Sequence, residues 1–147
     1  MGRALRVLVV GTALVALAAC GGGGGSSGGK VDVALKDYDM ILSTSSVSAG
    51  TVEFAISNGG GFVHEMLVVR TDLAIDKLPK TADGRFDETS PAVKVVASVK
   101  DVPAGGTASL TKKLANGSYF LICNLPAEPG DTMSHFQHGM LAPFAVT

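Results

Sequence analysis

Gly117-Ser118-Tyr119-Phe120-Leu121-Ile122-Cys123 runs like a strand into Asn124-Leu125-Pro126. After a polar loop come His135-Phe136-Gln137-His138-Gly139-Met140, and then a second strand-like run, Leu141-Ala142-Pro143-Phe144-Ala145-Val146. A thiol, two imidazoles and a thioether therefore sit on one loop between two apolar strands. The aromatic and β-branched content of the first run and the Asn116-Gly117 turn signal before it favour an antiparallel all-β fold. Pro143 is tolerated in the second run if it occupies an edge or a non-donating position.

Working outward, the same pattern recurs. Val31-Asp32-Val33-Ala34-Leu35 alternates, and Tyr38 to Leu42 is a short second run. In Thr51-Val52-Glu53-Phe54-Ala55-Ile56-Ser57, residues Val52, Phe54 and Ile56 share one face. Asn58-Gly59-Gly60-Gly61 breaks the chain before the fully apolar run Met66-Leu67-Val68-Val69. Val93 to Val99 and Thr107 to Leu114 complete a set of about eight strands. No long helical period is present. The expectation is a two-sheet antiparallel Greek-key sandwich. Residues 71–91 are polar and turn-rich, with a short helix expected over residues 73–78. An insertion of this length is expected to lie over the surface.

The N-terminus reads separately. Arg3 and Arg6 precede an apolar run from Val7 to Ala19, too short to span a bilayer. Leu17-Ala18-Ala19-Cys20 resembles the bacterial lipoprotein lipobox, which implies cleavage before Cys20 and lipidation of that residue. Residues 21–29 hold only Gly and Ser and are expected to act as a tether reaching about 15–20 Å. The organisation is thus a signal segment (1–19), a lipid-anchored Cys20 with its tether (20–29), and one domain (30–147), held at a membrane facing the periplasm or cell exterior.

Loss of Arg3 and Arg6 takes the formal charge from −1 to −3. With no basic stripe and no Trp, nucleic-acid binding is not expected. Of two cysteines in the chain, one is assigned to the lipid. Cys123 is then a lone thiol in an exported protein, exposed to oxidation unless something shields it. A buried core Cys is the common bland explanation, and metal ligation is the sharper one.

Taken singly, His64 is more often a packed residue than a ligand, Met140 core filler, and His135 or His138 a loop polar residue. Jointly they give two His, one Cys and one Met, the soft-ligand set of a mononuclear blue-copper centre. His64 would open one strand and Cys123 close another. His135 or His138 would come from the loop, and Met140 from just before the last strand. Zinc is the rival metal, since Cys with two or three His also suits a tetrahedral site. The fourth residue after His64 is Val68, so His64-Glu65 is no zincin signature. No Gly-x-Ser-x-Gly elbow is present.

On these residues the chain resembles the cupredoxins, the plastocyanin- and azurin-like blue-copper proteins. The resemblance rests on Asn58 to His64, Gly117 to Cys123, and His135-Phe136-Gln137-His138-Gly139-Met140, and covers roughly residues 31–147. It implies a cupredoxin-like sandwich with one type 1 copper, His64, Cys123 and His135 as equatorial ligands, and Met140 as axial ligand. The last stretch fits the H-x4-M pattern through His135 rather than His138. Two departures stand out. The Cys-to-His loop is longer than usual, spanning Asn124 to Ser134. Glu65 follows the first His where Asn or Ser is common, and a deprotonated carboxylate cannot donate a hydrogen bond to sulfur.

Four protein ligands leave no open position for substrate, so the expected role is single-electron transfer rather than catalysis. The resemblance implies that electrons pass through the edge of the C-terminal His. Leu125, Pro126, Met133, Phe136 and Pro143 are candidates for an apolar patch meeting redox protein partners, or for packing beneath the loop. The chain is expected to act as a monomer. The alternative function is a copper chaperone or reservoir that delivers Cu(I) to a membrane oxidase. A third reading is a structural sandwich stapled by zinc or holding no metal.

Overall fold

The computed structural model describes residues 27–147, so the expected signal segment, Cys20 and most of the expected tether lie outside it. The described strands are β1 (Ser27–Lys36), β2 (Asp39–Leu42), β3 (Ser46–Val47), β4 (Gly50–Asn58), β5 (His64–Arg70), β6 (Lys94–Val102), β7 (Thr107–Leu114), β8 (Gly117–Ile122) and β9 (Leu141–Val146). They form a four-stranded sheet in the order β2-β1-β4-β7 and a five-stranded sheet in the order β3-β9-β8-β5-β6. Among the described residues no helix is long and apolar enough to cross a membrane.

The sandwich departs from the antiparallel expectation. β1 runs parallel to β4, and β3 runs parallel to β9, so both sheets are mixed. Alternation sets which face a strand buries but carries no information on the direction of its neighbour. β3 has two residues, too few for any period to register. β1 also begins inside the Gly/Ser run. Gly28 packs so closely on β4 that a Cβ there would meet the Thr51 carbonyl at 2.8 Å.

The core follows the alternation. Val31, Val33 and Leu35 of β1 and Val52, Phe54 and Ile56 of β4 face Met66, Val68, Leu121 and Phe144 of the other sheet. Alternation fails in β5, where His64 to Val69 are all buried. The reason is a third layer. Residues 71–91 lie over the outer face of the second sheet and contribute Leu78 and Phe86 to a second cluster with Leu67, Val69, Phe120, Ile122 and Phe136. The insertion is therefore part of the packed structure. Its expected helix is a single 3-10 turn, Ile75–Lys77. Burying Phe86 contributes about 2–3 kcal/mol of transfer free energy, which helps hold an otherwise polar segment in place.

β5 and β8 are antiparallel, with Leu67 opposite Ile122. The start of β5 thus lies beside the end of β8, and β9 begins opposite the same residue, Leu141 against Ile122. Everything the sequence singled out as ligand-like emerges at this end of the sandwich.

Candidate metal centre

His64, Cys123 and His135 are fully buried, and their ligand atoms all lie within 4.8 Å of one another. His135 Nδ1 is 3.3 Å from Cys123 Sγ and 3.1 Å from His64 Nδ1, and His64 Nδ1 is 3.9 Å from the sulfur. Met140 is fully buried in the core between the sheets, in the same cluster as Cys123. Its backbone is bonded to both neighbours. Cys123 N–H donates to the Met140 carbonyl at 3.0 Å, and Met140 N–H donates to the His135 carbonyl at 3.0 Å. Gly139, at φ +92°, supplies the left-handed turn before it.

Each ligand-like His has its outer nitrogen held by a carboxylate. His64 Nε2 lies 3.2 Å from Asp37 Oδ1, and His135 Nε2 lies 3.0 Å from Glu128 Oε1. Asp37 is itself fixed by the N–H groups of Gly61 and Phe62, and the Gly61 N–H chiefly holds its carboxyl below the ordinary range. Gly60 leaves room for this contact; a Cβ there would sit 2.9 Å from His64 Nε2. A carboxylate needs a proton from the nitrogen it faces, so each ring carries its hydrogen on Nε2 and turns the Nδ1 lone pair inward. Burial pushes His64 below its usual pKa, opposing a second proton. With both rings in that neutral tautomer, two acceptor lone pairs face each other at 3.1 Å beside a sulfur. That arrangement is unfavourable alone and is satisfied by a cation between them.

Burial also raises the Cys123 thiol to about 11, against the opposing effect of the Glu65 N–H, which donates to Sγ at 3.4 Å. Such a thiol is a poor nucleophile near neutral pH, while a bound metal ion would deprotonate it.

Glu65 resolves the departure seen in the sequence. Its backbone donates to the sulfur, and its buried carboxylate accepts the Asn124 N–H at 3.1 Å and pairs with Lys100 at 3.2 Å. The Asn124 side chain in turn accepts the Phe86 N–H and donates to the Phe86 carbonyl and Glu88. The insertion is thereby bonded to the residue that follows Cys123. Sequence reasoning missed Asn124, Asp37 and Glu128. The one signal available was adjacency, in the case of Asn124.

His138 stands apart from the cluster. Its Nε2 pairs with Asp131 Oδ2 at 2.7 Å, and its ring stacks on Tyr38 with centroids 3.9 Å apart. Tyr38 also presents its ring to His135, edge to face at 5.2 Å. The His135 edge is thus covered by Glu128 and Tyr38. Phe136, a candidate for a docking patch, packs instead in the second cluster at 5% exposure, because the insertion brings Phe86 against it at 5.6 Å. Leu125 packs partly against the main core. Pro126, Met133 and Pro143 are exposed, as are Phe62 and Val63 just before His64.

No protein-family profile matches the chain, and no curated protein matches it. Solved structures do. Auracyanin from the photosynthetic bacterium Roseiflexus castenholzii, in its dithionite-reduced form, is 20% identical, with 84% of this chain and 99% of that one covered and a TM-score of 0.57. Auracyanin B is 21% identical, with 81% and 88% covered and a TM-score of 0.53. Rusticyanin from Thiobacillus ferrooxidans is 18% identical, with 83% and 79% covered and a TM-score of 0.57. The chain has the cupredoxin fold.

Proposed function

We propose that the chain binds one copper ion, which His64 Nδ1, Cys123 Sγ and His135 Nδ1 would hold with Met140 as the fourth donor, and carries single electrons. The observation that carries this reading is the convergence of two inward Nδ1 lone pairs on the Cys123 sulfur, with both outer nitrogens committed to carboxylates. One thiolate, two imidazoles and a thioether suit copper better than magnesium or calcium, and the buried Met140 favours copper over zinc. Rusticyanin is described as a copper protein, and the auracyanin structure was obtained in a reduced state.

When bound, copper supplies a one-electron couple between Cu(II) and Cu(I). The protein's part is to hold the donors still and dry. Asp37 and Glu128 fix the two rings, and the backbone bonds among Cys123, His135 and Met140 fix the loop. The buried donors exclude water and substrate, so the site does no catalysis of its own. A copper chaperone or reservoir is the second reading, but four fully buried donor residues offer no exposed ligand for handing copper to a partner. The lipobox-like Cys20 supports tethering at a membrane outside the cytoplasm, and the exposed Phe62, Val63, Pro126 and Met133 would meet a redox partner.

Loading with Cu(II) tests this. The expected result is one copper per chain and an intense visible thiolate band, bleached by a reductant and restored on reoxidation. Cys123→Ser should abolish the band while the fold remains. A colourless protein that yields Cu(I) to a thiol competitor would instead establish the chaperone.

A further inference from the structure

The two ends of the sandwich differ in charge. Asp37, Glu128 and Asp131 gather at the ligand end, each bonded to a His. At the far end, Arg70, Lys94, Lys112 and Lys113 line one groove with Val95, Val96, Leu114, Ala115 and Tyr119, and no acidic residue lines it. All four cations are exposed. The groove lies where the edge strands β6 and β7 of the two sheets meet, at the end of β5 opposite His64. Six residues of strand separate His64 from Arg70, or about 20 Å. Neither Asp72, which lines a separate groove, nor Glu53, in register with Lys30 of β1 and Thr111 of β7, lines this one.

The chain enters the fold at this same end. Ser27 pairs with Thr51, and Thr51 pairs with Lys113. The entry point is therefore two strands, roughly 10 Å, from the groove. Seven residues join Cys20 to Ser27, and even fully extended they span at most about 25 Å. A lipid on Cys20 would hold the basic end, not the ligand end, close to the headgroups.

We infer that the groove formed by Arg70, Lys94, Lys112 and Lys113 rests on anionic lipid headgroups and stands the domain upright, with the ligand end turned away from the membrane. The occupant follows from charge complementarity and from where the N-terminal segment joins. This orientation rests on the tether reading, whereas the groove's affinity for anionic lipid does not. Each Lys or Arg near an anionic surface strengthens binding about fivefold, and the effect fades within a Debye length.

The test uses the chain as the expected cleavage leaves it, from residue 20 onward and carrying Cys20→Ser, so that neither a lipid nor the apolar run of residues 7–19 contributes. It is sedimented with phosphatidylcholine vesicles and with vesicles containing phosphatidylglycerol at low ionic strength. The expected result is a preference for the anionic vesicles that K94Q/K112Q/K113Q lowers roughly a hundredfold and that K36Q/K77Q leaves within about twofold. At about 0.5 M salt the preference should vanish. Equal binding to both vesicle types, or a preference that survives the triple substitution, overturns the inference. So does a chain that binds a soluble polyanion through these lysines but ignores the vesicles. The membrane fraction of cells making the unsubstituted chain reads the anchor separately. Retention there through Cys20 without any anionic preference in the C20S chain leaves the anchor standing and removes the groove. An anionic preference through these lysines, from a chain that carries no lipid, does the reverse.

Discussion

The Glu65 carboxylate accepts the backbone N–H of Asn124 at 3.1 Å, which ties the residue after His64 to the residue after Cys123. Two ligand-bearing segments separated by 59 positions are thus joined by one buried acceptor. Glu65→Ala leaves the Asn124 N–H buried without a partner, a loss of about 1–3 kcal/mol. Glu65→Gln keeps an oxygen for that N–H and loses only the ion pair with Lys100, whose side chain is 57% exposed and gains little from it. Denaturant unfolding of the metal-free protein should rank wild type first, Gln close behind and Ala last. An Ala variant as stable as Gln would show that the Asn124 contact does not hold the loop.

Phe86 should be the most costly position in the insertion. It is 1% exposed and packs on Phe136, directly after the ligand-like His135. Phe86→Ala should destabilise the protein by about 3–5 kcal/mol and broaden the visible band of the copper form. An insertion that merely drapes over the surface would give less than about 1 kcal/mol. Urea melts of both proteins decide between these outcomes.

These two positions also mark the limit of what the sequence carries. The faces of β1 and β4 were legible because each has one core side and a period of two. The ligand-like residues were legible because their types are rare in this chain and their order is restrictive. The sequence left Phe136 open between a docking patch and packing beneath the loop, because its burial depends on Phe86, fifty residues away, and no local pattern records that. The parallel pairing of β1 with β4 was invisible for a similar reason, since direction is set by the route of the chain through β2 and β3. Glu65 stood out as a departure because only the tertiary structure shows its backbone N–H, not its side chain, donating to Cys123.

The two histidines of the ligand loop should separate cleanly. His135→Ala removes a donor 3.3 Å from Cys123 Sγ and should abolish or severely distort the blue band. His138→Ala removes only the Asp131 pair and the Tyr38 stack, and should leave both copper stoichiometry and colour. Side-by-side spectra of the two purified variants are sufficient. Loss of colour in His138→Ala with retention in His135→Ala would reverse the assignment.

Asp131 gives the loop an acid limit. Its carboxyl is held down from 3.8 to about 2, first by the Met133 N–H and then by His138. The folded value lies below the unfolded one, so the stabilisation is complete above about pH 4 and is lost as pH falls through about 2. Asp131→Asn should therefore lower the Tm near neutral pH, and the gap to wild type should close as pH falls toward 2. A gap that stays constant over that range would mean that the carboxylate charge contributes nothing.

Tyr38 controls how much of the site meets solvent. Among the described residues it is one of two non-glycine residues at positive φ, at 64°, a conformation that costs an ordinary side chain about 1–3 kcal/mol. In that position its ring stacks on His138 and presents itself to His135 at 5.2 Å. Glu128 covers the remaining nitrogen of His135. The edge through which an electron would leave is thus shielded by one aromatic ring and one carboxylate. Tyr38→Ala should retain the blue band, because no ligand is touched, and should speed oxidation of the reduced protein by a small inorganic oxidant such as ferricyanide. Tyr38→Phe keeps the ring and loses only the long contact of the hydroxyl with Asp131 at 3.4 Å, so its rate should match wild type. Stopped-flow bleaching and recovery of the visible band measures all three proteins. An Ala variant that exchanges electrons no faster than wild type would show that the ring is not the barrier, and an Ala variant slower than both others would make Tyr38 the route itself.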